Sequence, residues 1–213
     1  MRRLGGIFGM MALGALLATP MAAQSSPAIW DSVEVLVPER GIDSIRSDRE
    51  MFARQRGDAD ARAGTARLRQ AEVEDQLDRL KDEIKAVDDR VNSAKKSKNE
   101  ADKTVAESQK KQLERQKNVL ERRRDLRTAE MEAAQAESEL AAAATRALDL
   151  EYELARRRQD NATPATLADL TKKTLEAQSD WASRDENHVG KRARVADRRR
   201  SLFDAQQELV KRS

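Results

Sequence analysis

The chain has 213 residues, with 41 basic and 38 acidic side chains, one histidine and no cysteine. A formal charge of +3 excludes a surface that seeks polyanions as a whole, and the lack of cysteine excludes disulfide staples and lipid attachment through an N-terminal cysteine. Charged residues at 37% against aromatics at 3% supply too few bulky groups for a compact core, but enough for a narrow seam between long helices.

Arg2 and Arg3 precede an apolar stretch over residues 4–18, then Thr19, Pro20 and small residues through Ala22 and Ala23. That order predicts a cleavable export signal over residues 1–23, although Met21 is bulky for its place before the cut. The alternative is an uncleaved anchor in the inner membrane, for which the apolar run is short of the roughly 20 residues a span needs. The expected destination is periplasmic or secreted, and export argues against nucleic acid as a partner.

Residues 24–43 form a short N-terminal segment, the one part of the mature chain without heptads. Val33, Val35 and Val37 alternate as in a strand, whereas Ser26 and Pro27 open a helix on which Ile29, Val33 and Leu36 share a face. Pro38 and Gly41 end either element, and Trp30 is expected to pack it against the helices that follow.

Residues 44–213 read as a helical rod with helices at about 44–96, 99–160 and 164–211. The first starts between Ile42 and Ser47, where Ser47 and Glu50 have capping-box spacing. Its seam, Val73, Leu77, Leu80, Ile84, Val87, Val91 and Ala94, alternates steps of four and three, a heptad pattern. Upstream the seam thins to Ala53, Ala59, Ala63 and Ala66. The polar residues 92–103 interrupt it without proline or glycine, so either a turn or a continuous helix fits there.

The second helix carries Val105, Leu113, Val119, Leu126, Ala129, Ala133, Ala136, Leu140, Ala143, Ala147, Leu150 and Leu154. A reversal about Lys98 sets Val91 opposite Val105, Leu77 opposite Val119 and Ala63 opposite Ala133, so bulky residues meet bulky ones and alanines meet alanines. That size matching predicts an antiparallel hairpin, since mismatched pairs leave costly voids.

Asp160, Asn161, Ala162, Thr163 and Pro164 form the sharpest break, with Thr163 an N-cap and Pro164 in the first helical position. The third helix carries Leu167, Trp181, His188, Val195, Leu202 and Leu209, with Leu175, Ala182, Val189, Ala196, Phe203 and Val210 on the adjoining row. Trp181 is expected over Ala143, and Phe203 near Val119 and Leu120. This helix is shorter than the second, so the turn between the first two projects beyond it. The fold class is therefore all-α: an elongated antiparallel coiled coil, or long three-helix bundle, about 90 Å long at roughly 1.5 Å per residue, with a protruding helical-hairpin tip.

Lys95, Lys96, Lys98, Lys103, Lys110 and Lys111 cluster at that tip against Asp88, Asp89, Glu100, Asp102 and Glu107. They are the candidate partner-binding residues, suited to anionic lipid, peptidoglycan carboxylates or an acidic protein, although the acids offset much of their charge. The arginine triplets at 122–124, 156–158 and 198–200 fan around their helices and read as interhelical salt-bridge donors. The first and third fall at one level, a crowding of like charge that an anion or acidic partner would relieve. His188 reads as a seam residue. No motif for catalysis, a cofactor or a metal site appears, so no catalytic, cofactor-binding or metal-ligating residue is expected.

Long helical arms with basic tips on a small, exported, cysteine-free chain resemble the Skp/OmpH-type periplasmic chaperones. The resemblance is one of composition and outline: here a third helix stands where those proteins return strands, and membership is not implied. The expected function is that of a non-enzymatic structural or adaptor protein of a bacterial cell envelope, acting through protein contacts. A periplasmic holdase is the alternative, with homo-oligomers and peripheral contact with an anionic envelope surface as further expectations.

Overall fold

A computed structural model describes residues 39–211; the export signal, Trp30 and the Val33 to Val37 alternation lie outside the described residues. Three helices make up the described chain: α1 (Ile42–Lys96), α2 (Glu100–Gln159) and α3 (Pro164–Lys211). The architecture is an all-helical bundle, with no strand among the described residues.

α1 starts earlier than its capping-box spacing suggests. Gly41 is the N-cap and offers no side chain, so Ser47 and Glu50 stand inside the helix. Arg40 fastens the start instead, bonding Asp48, the Ser44 hydroxyl at 3.3 Å and Glu151 of α2 at 3.5 Å.

Both turns end their helices in the same way. The Asn99 amide donates to the Ala94 carbonyl at 3.0 Å, and the Ala162 amide to Arg157 at 3.0 Å. Each wrap puts one residue in the left-handed region, Lys98 at φ 55° and Asn161 at φ 52°. Asparagine accepts that conformation readily, while lysine adopts it at a cost near 1 kcal/mol. The next helices are then capped, by the Asn99 carboxamide oxygen accepting from the Asp102 amide at 3.1 Å and by the Thr163 hydroxyl accepting from Thr166 at 3.4 Å.

Fifteen residues of α2 are buried, against nine of α1 and four of α3, which makes α2 the central helix. The other two each pack along it and scarcely touch one another. Ion pairs fix the meeting of α1 and α2: Arg49 with Asp149 at 2.6 Å, Arg62 with Glu137 at 2.6 Å, and Asp88 with Lys110 at 2.6 Å. α2 buries two stripes because it has two neighbours. Beside the heptad positions Ala133, Ala136, Leu140 and Ala147 it buries Ala134, Ala141, Ala144 and Leu148.

One expected seam residue is displaced. Val105 is exposed and Ala106 is fully buried instead, against Val87 and Val91. The buried row runs from Ala106 through half-buried Leu113 to Val119, a step of seven and then six, so it is one residue out of phase with the strict heptad that joins Val105 to Val119. Around the second turn, Leu154 and Leu170 form a core with Leu167 and Leu175 packed on it. Thr171 and Thr174 are buried there with their hydroxyls donating to the Leu167 and Leu170 carbonyls, each at 2.8 Å, so no buried donor is stranded.

Trp181 meets Phe52 of α1 edge-on, with centroids 5.6 Å apart and planes at 81°, a contact the alanine-facing expectation did not include. Beyond it no residue of α3 is buried: His188, Val195, Leu202 and Leu209 are half-buried, and Phe203, expected near Val119, is exposed. What carries α3 along α2 over this stretch is charge: Arg184 with Glu139 at 2.8 Å, Lys191 with Glu132 at 2.7 Å and Arg199 with Glu130 at 3.5 Å.

Candidate interaction surface at the first helix turn

The six lysines singled out from sequence divide into two groups. Lys95 and Lys96 occupy the last turn of α1, where their charge complements the carbonyl end of the helix. Lys98 is the left-handed residue of the turn itself. All three are exposed and make no ion pair among the described residues, as is also true of Lys111. Lys103 and Lys110 are engaged: Lys103 bonds Glu100 at 3.0 Å, and Lys110 bonds Asp88 at 2.6 Å and approaches Glu114 at 3.8 Å. The hydrogen bond to Glu100 raises the Lys103 pKa, and the bond to Asp88 does the same for Lys110. Both remain cationic at neutral pH and are neutralised by their partners.

The turn therefore presents Lys95, Lys96 and Lys98 together. Lys111 stands apart, about 18 Å up α2 from Asn99 at 1.5 Å per residue. The acids beside the turn are taken, Glu100 by Lys103 and Asp102 by Arg90, whose Nε lies at 3.0 Å. Three exposed ammonium groups in and beside one turn suit a shallow, hydrated contact with carboxylates or phosphates rather than a fixed pocket.

The expected crowding of the 122–124 and 198–200 triplets is answered from within the chain. Asp125 lies between them, 3.2 Å from Arg124 and 3.9 Å from Arg198, and Glu130 receives Arg199. Sequence reasoning did not find the open groove of about 810 Å³ between α1 and α3. Ala66, Ala133 and Ala134 floor it, Arg69 and Arg192 border it, and half-buried His188 stands on its wall. Two adjacent alanines on the central helix were the available signal: they offer too little side chain to bridge the outer helices.

Burial perturbs one carboxyl far from the turn. Glu151, buried near Leu154, has its pKa raised by desolvation, an effect the Arg40 guanidinium opposes. Glu132 is moved the other way, its pKa lowered by the hydrogen bond from Lys191.

No family model matches the chain, and neither a curated protein nor a solved structure matches it.

Proposed function

We propose that this chain is a non-enzymatic structural or adaptor protein, exported to a bacterial cell envelope, whose helices form an antiparallel coiled-coil rod with the first turn as its projecting, partner-binding tip. The observation that supports the reading is the contrast in how charge is used. Most acids of α2 are paired with bases of the neighbouring chain segments, whereas Lys95, Lys96, Lys98 and Lys111 are exposed and make no ion pair among the described residues. Such charge serves binding better than folding, because exposed pairs contribute only about 0–1 kcal/mol to stability in any case. The partner suited to it is an acidic protein surface or an anionic face of the envelope.

A photo-crosslinker at Lys96, used in cells that export the chain, tests this. One dominant envelope protein, lost when Lys95, Lys98 and Lys111 are changed to glutamate while helicity is retained, is the expected result. Absence of any crosslink at Lys96 contradicts it.

The holdase reading draws on a separate observation, the exposure of Val189, Phe203 and Val210 on α3. Crosslinks from Lys96 to many unfolded outer-membrane proteins, together with suppressed client aggregation, are what that reading requires.

A further inference from the structure

The distal two-thirds of α3 carries two apolar rows side by side, of which α2 covers only one. His188, Val195, Leu202 and Leu209 face α2 and are half-buried. The next row, Ala182, Val189, Ala196, Phe203 and Val210, is exposed throughout, with Val189 60%, Phe203 57% and Val210 76% accessible. It repeats every seven residues over about 40 Å of helix. A strict heptad row is the period that keeps one helix in continuous contact with another, and α1 does not supply that partner.

From this row we infer that α3 pairs with α3 of a second copy of the same chain, antiparallel and in one register. The register places Ala182 opposite Phe203 and Val189 opposite Ala196, with Leu175 opposite Val210, so every layer sets a larger side chain against a smaller or comparable one. Sliding by one heptad would instead set Leu175 against Phe203 and Ala182 against Ala196, overfilling one layer and emptying another.

Charge agrees with the same register. A residue three beyond a row position flanks it on one side, and a residue four beyond flanks it on the other. On the first side Asp185 then meets Arg199 of the second copy; on the other, Glu186 meets Arg200. The two-fold symmetry repeats both contacts, giving four ion pairs. Asp185, Glu186 and Arg200 are exposed and make no ion pair among the described residues, and Arg199 holds Glu130 only at 3.5 Å. The one opposed contact is Arg192 with its own copy at the symmetry axis, where long side chains diverge into solvent. Moving a heptad toward the C-terminus sets Arg192 against Arg199 twice, so like-charge contacts exclude that alternative. A C2 pairing of this kind is closed and leaves no free apolar row.

The chain contains no cysteine, which makes disulfide trapping clean. The full-length chain, purified as the cell leaves it, should sediment as a dimer. A Val189→Cys, Ala196→Cys double variant should close into a covalent dimer under mild oxidation, while either single variant should not. Glu186→Arg or Arg200→Glu alone should weaken the dimer about tenfold or more. The two together restore the pairing with its charges exchanged, and affinity should return. A monomer at every concentration overturns the inference, as does a monomer whose row is covered by its own N-terminal residues. Crosslinking of both single variants points to a parallel pair and overturns the register, and a double charge swap that fails to rescue does so as well.

Discussion

The two halves of α3 are built from the same kinds of residue and are held in different ways. Near the second turn, Leu170, Thr171, Thr174 and Ala177 are buried against α2, and Ile45, Leu148 and Leu154 beside them are essentially inaccessible. Past Trp181 nothing on α3 is buried, and arginines and lysines reaching to Glu139, Glu132, Asp125 and Glu130 replace the core. The difference lies in the third layer. Where Ala141 and Ala144 are fully buried, the rings of Phe52 on α1 and Trp181 on α3 meet. Where Ala133 and Ala134 floor a groove, the outer helices stand apart, and the row of α3 that faces α2 stays half-buried. Full burial on α3 is confined to the stretch near the second turn, and beyond it α3 keeps a seam with wet edges.

Removing core at the closed end should have the largest effect. Leu148→Ala is expected to destabilise the chain by about 3 kcal/mol, and Leu202→Ala, half-buried on distal α3, by under about 1 kcal/mol, both from urea melts. Equal losses would erase the distinction. Strengthening the distal half comes next. Gly190 sits inside α3 with open space where a Cβ would go, so Gly190→Ala should add about 1 kcal/mol of helix stability there. A loss on that substitution would mean that the backbone is approached by a neighbour.

Acid should loosen the distal half selectively. Because its bond to Lys191 lowers the Glu132 pKa below the ordinary 4.5, the folded chain releases this proton more readily than the unfolded one. Its contribution is complete above pH 4.5 and is lost as pH falls through the lower folded value. Spin labels at Thr128 and Arg194 should therefore report a broadened distance in that acidic range, while labels at Glu153 and Lys172 hold theirs.

The smallest effect belongs to Glu151, where the sign reverses. Burial raises its pKa, so the ionised form costs stability at neutral pH, a cost that disappears as pH falls below the unfolded value. Glu151→Gln should raise the neutral-pH midpoint slightly and leave an acid melt unchanged. A clear loss at neutral pH would show that the Arg40 contact outweighs desolvation.

Much of the bundle was legible because heptads and caps are local. Val73, Leu77, Leu80, Val87, Val91 and Ala94 are buried, and Thr163 caps the helix that Pro164 begins. Val105 misled because the buried row of α2 shifts by one residue between Leu113 and Val119, a break in the heptad that an unbroken helical pattern does not mark. On α3 two apolar rows have the same spacing, so periodicity could not tell which one faces α2. That choice depends on how far α1 stands away, a tertiary fact. The lysines around the first turn could be placed near a turn from sequence, but which of them were free could not, because Asp88 and Glu100 select Lys110 and Lys103 by side-chain reach.

Hydrogen exchange read along α3 tests the contrast most directly. The account predicts slow exchange for residues 167–178 at any ionic strength, and faster exchange for residues 184–205 that accelerates with added salt as the ion pairs are screened. Uniform protection along the whole helix, insensitive to salt in the full-length protein and in a Glu186→Arg variant alike, would contradict it.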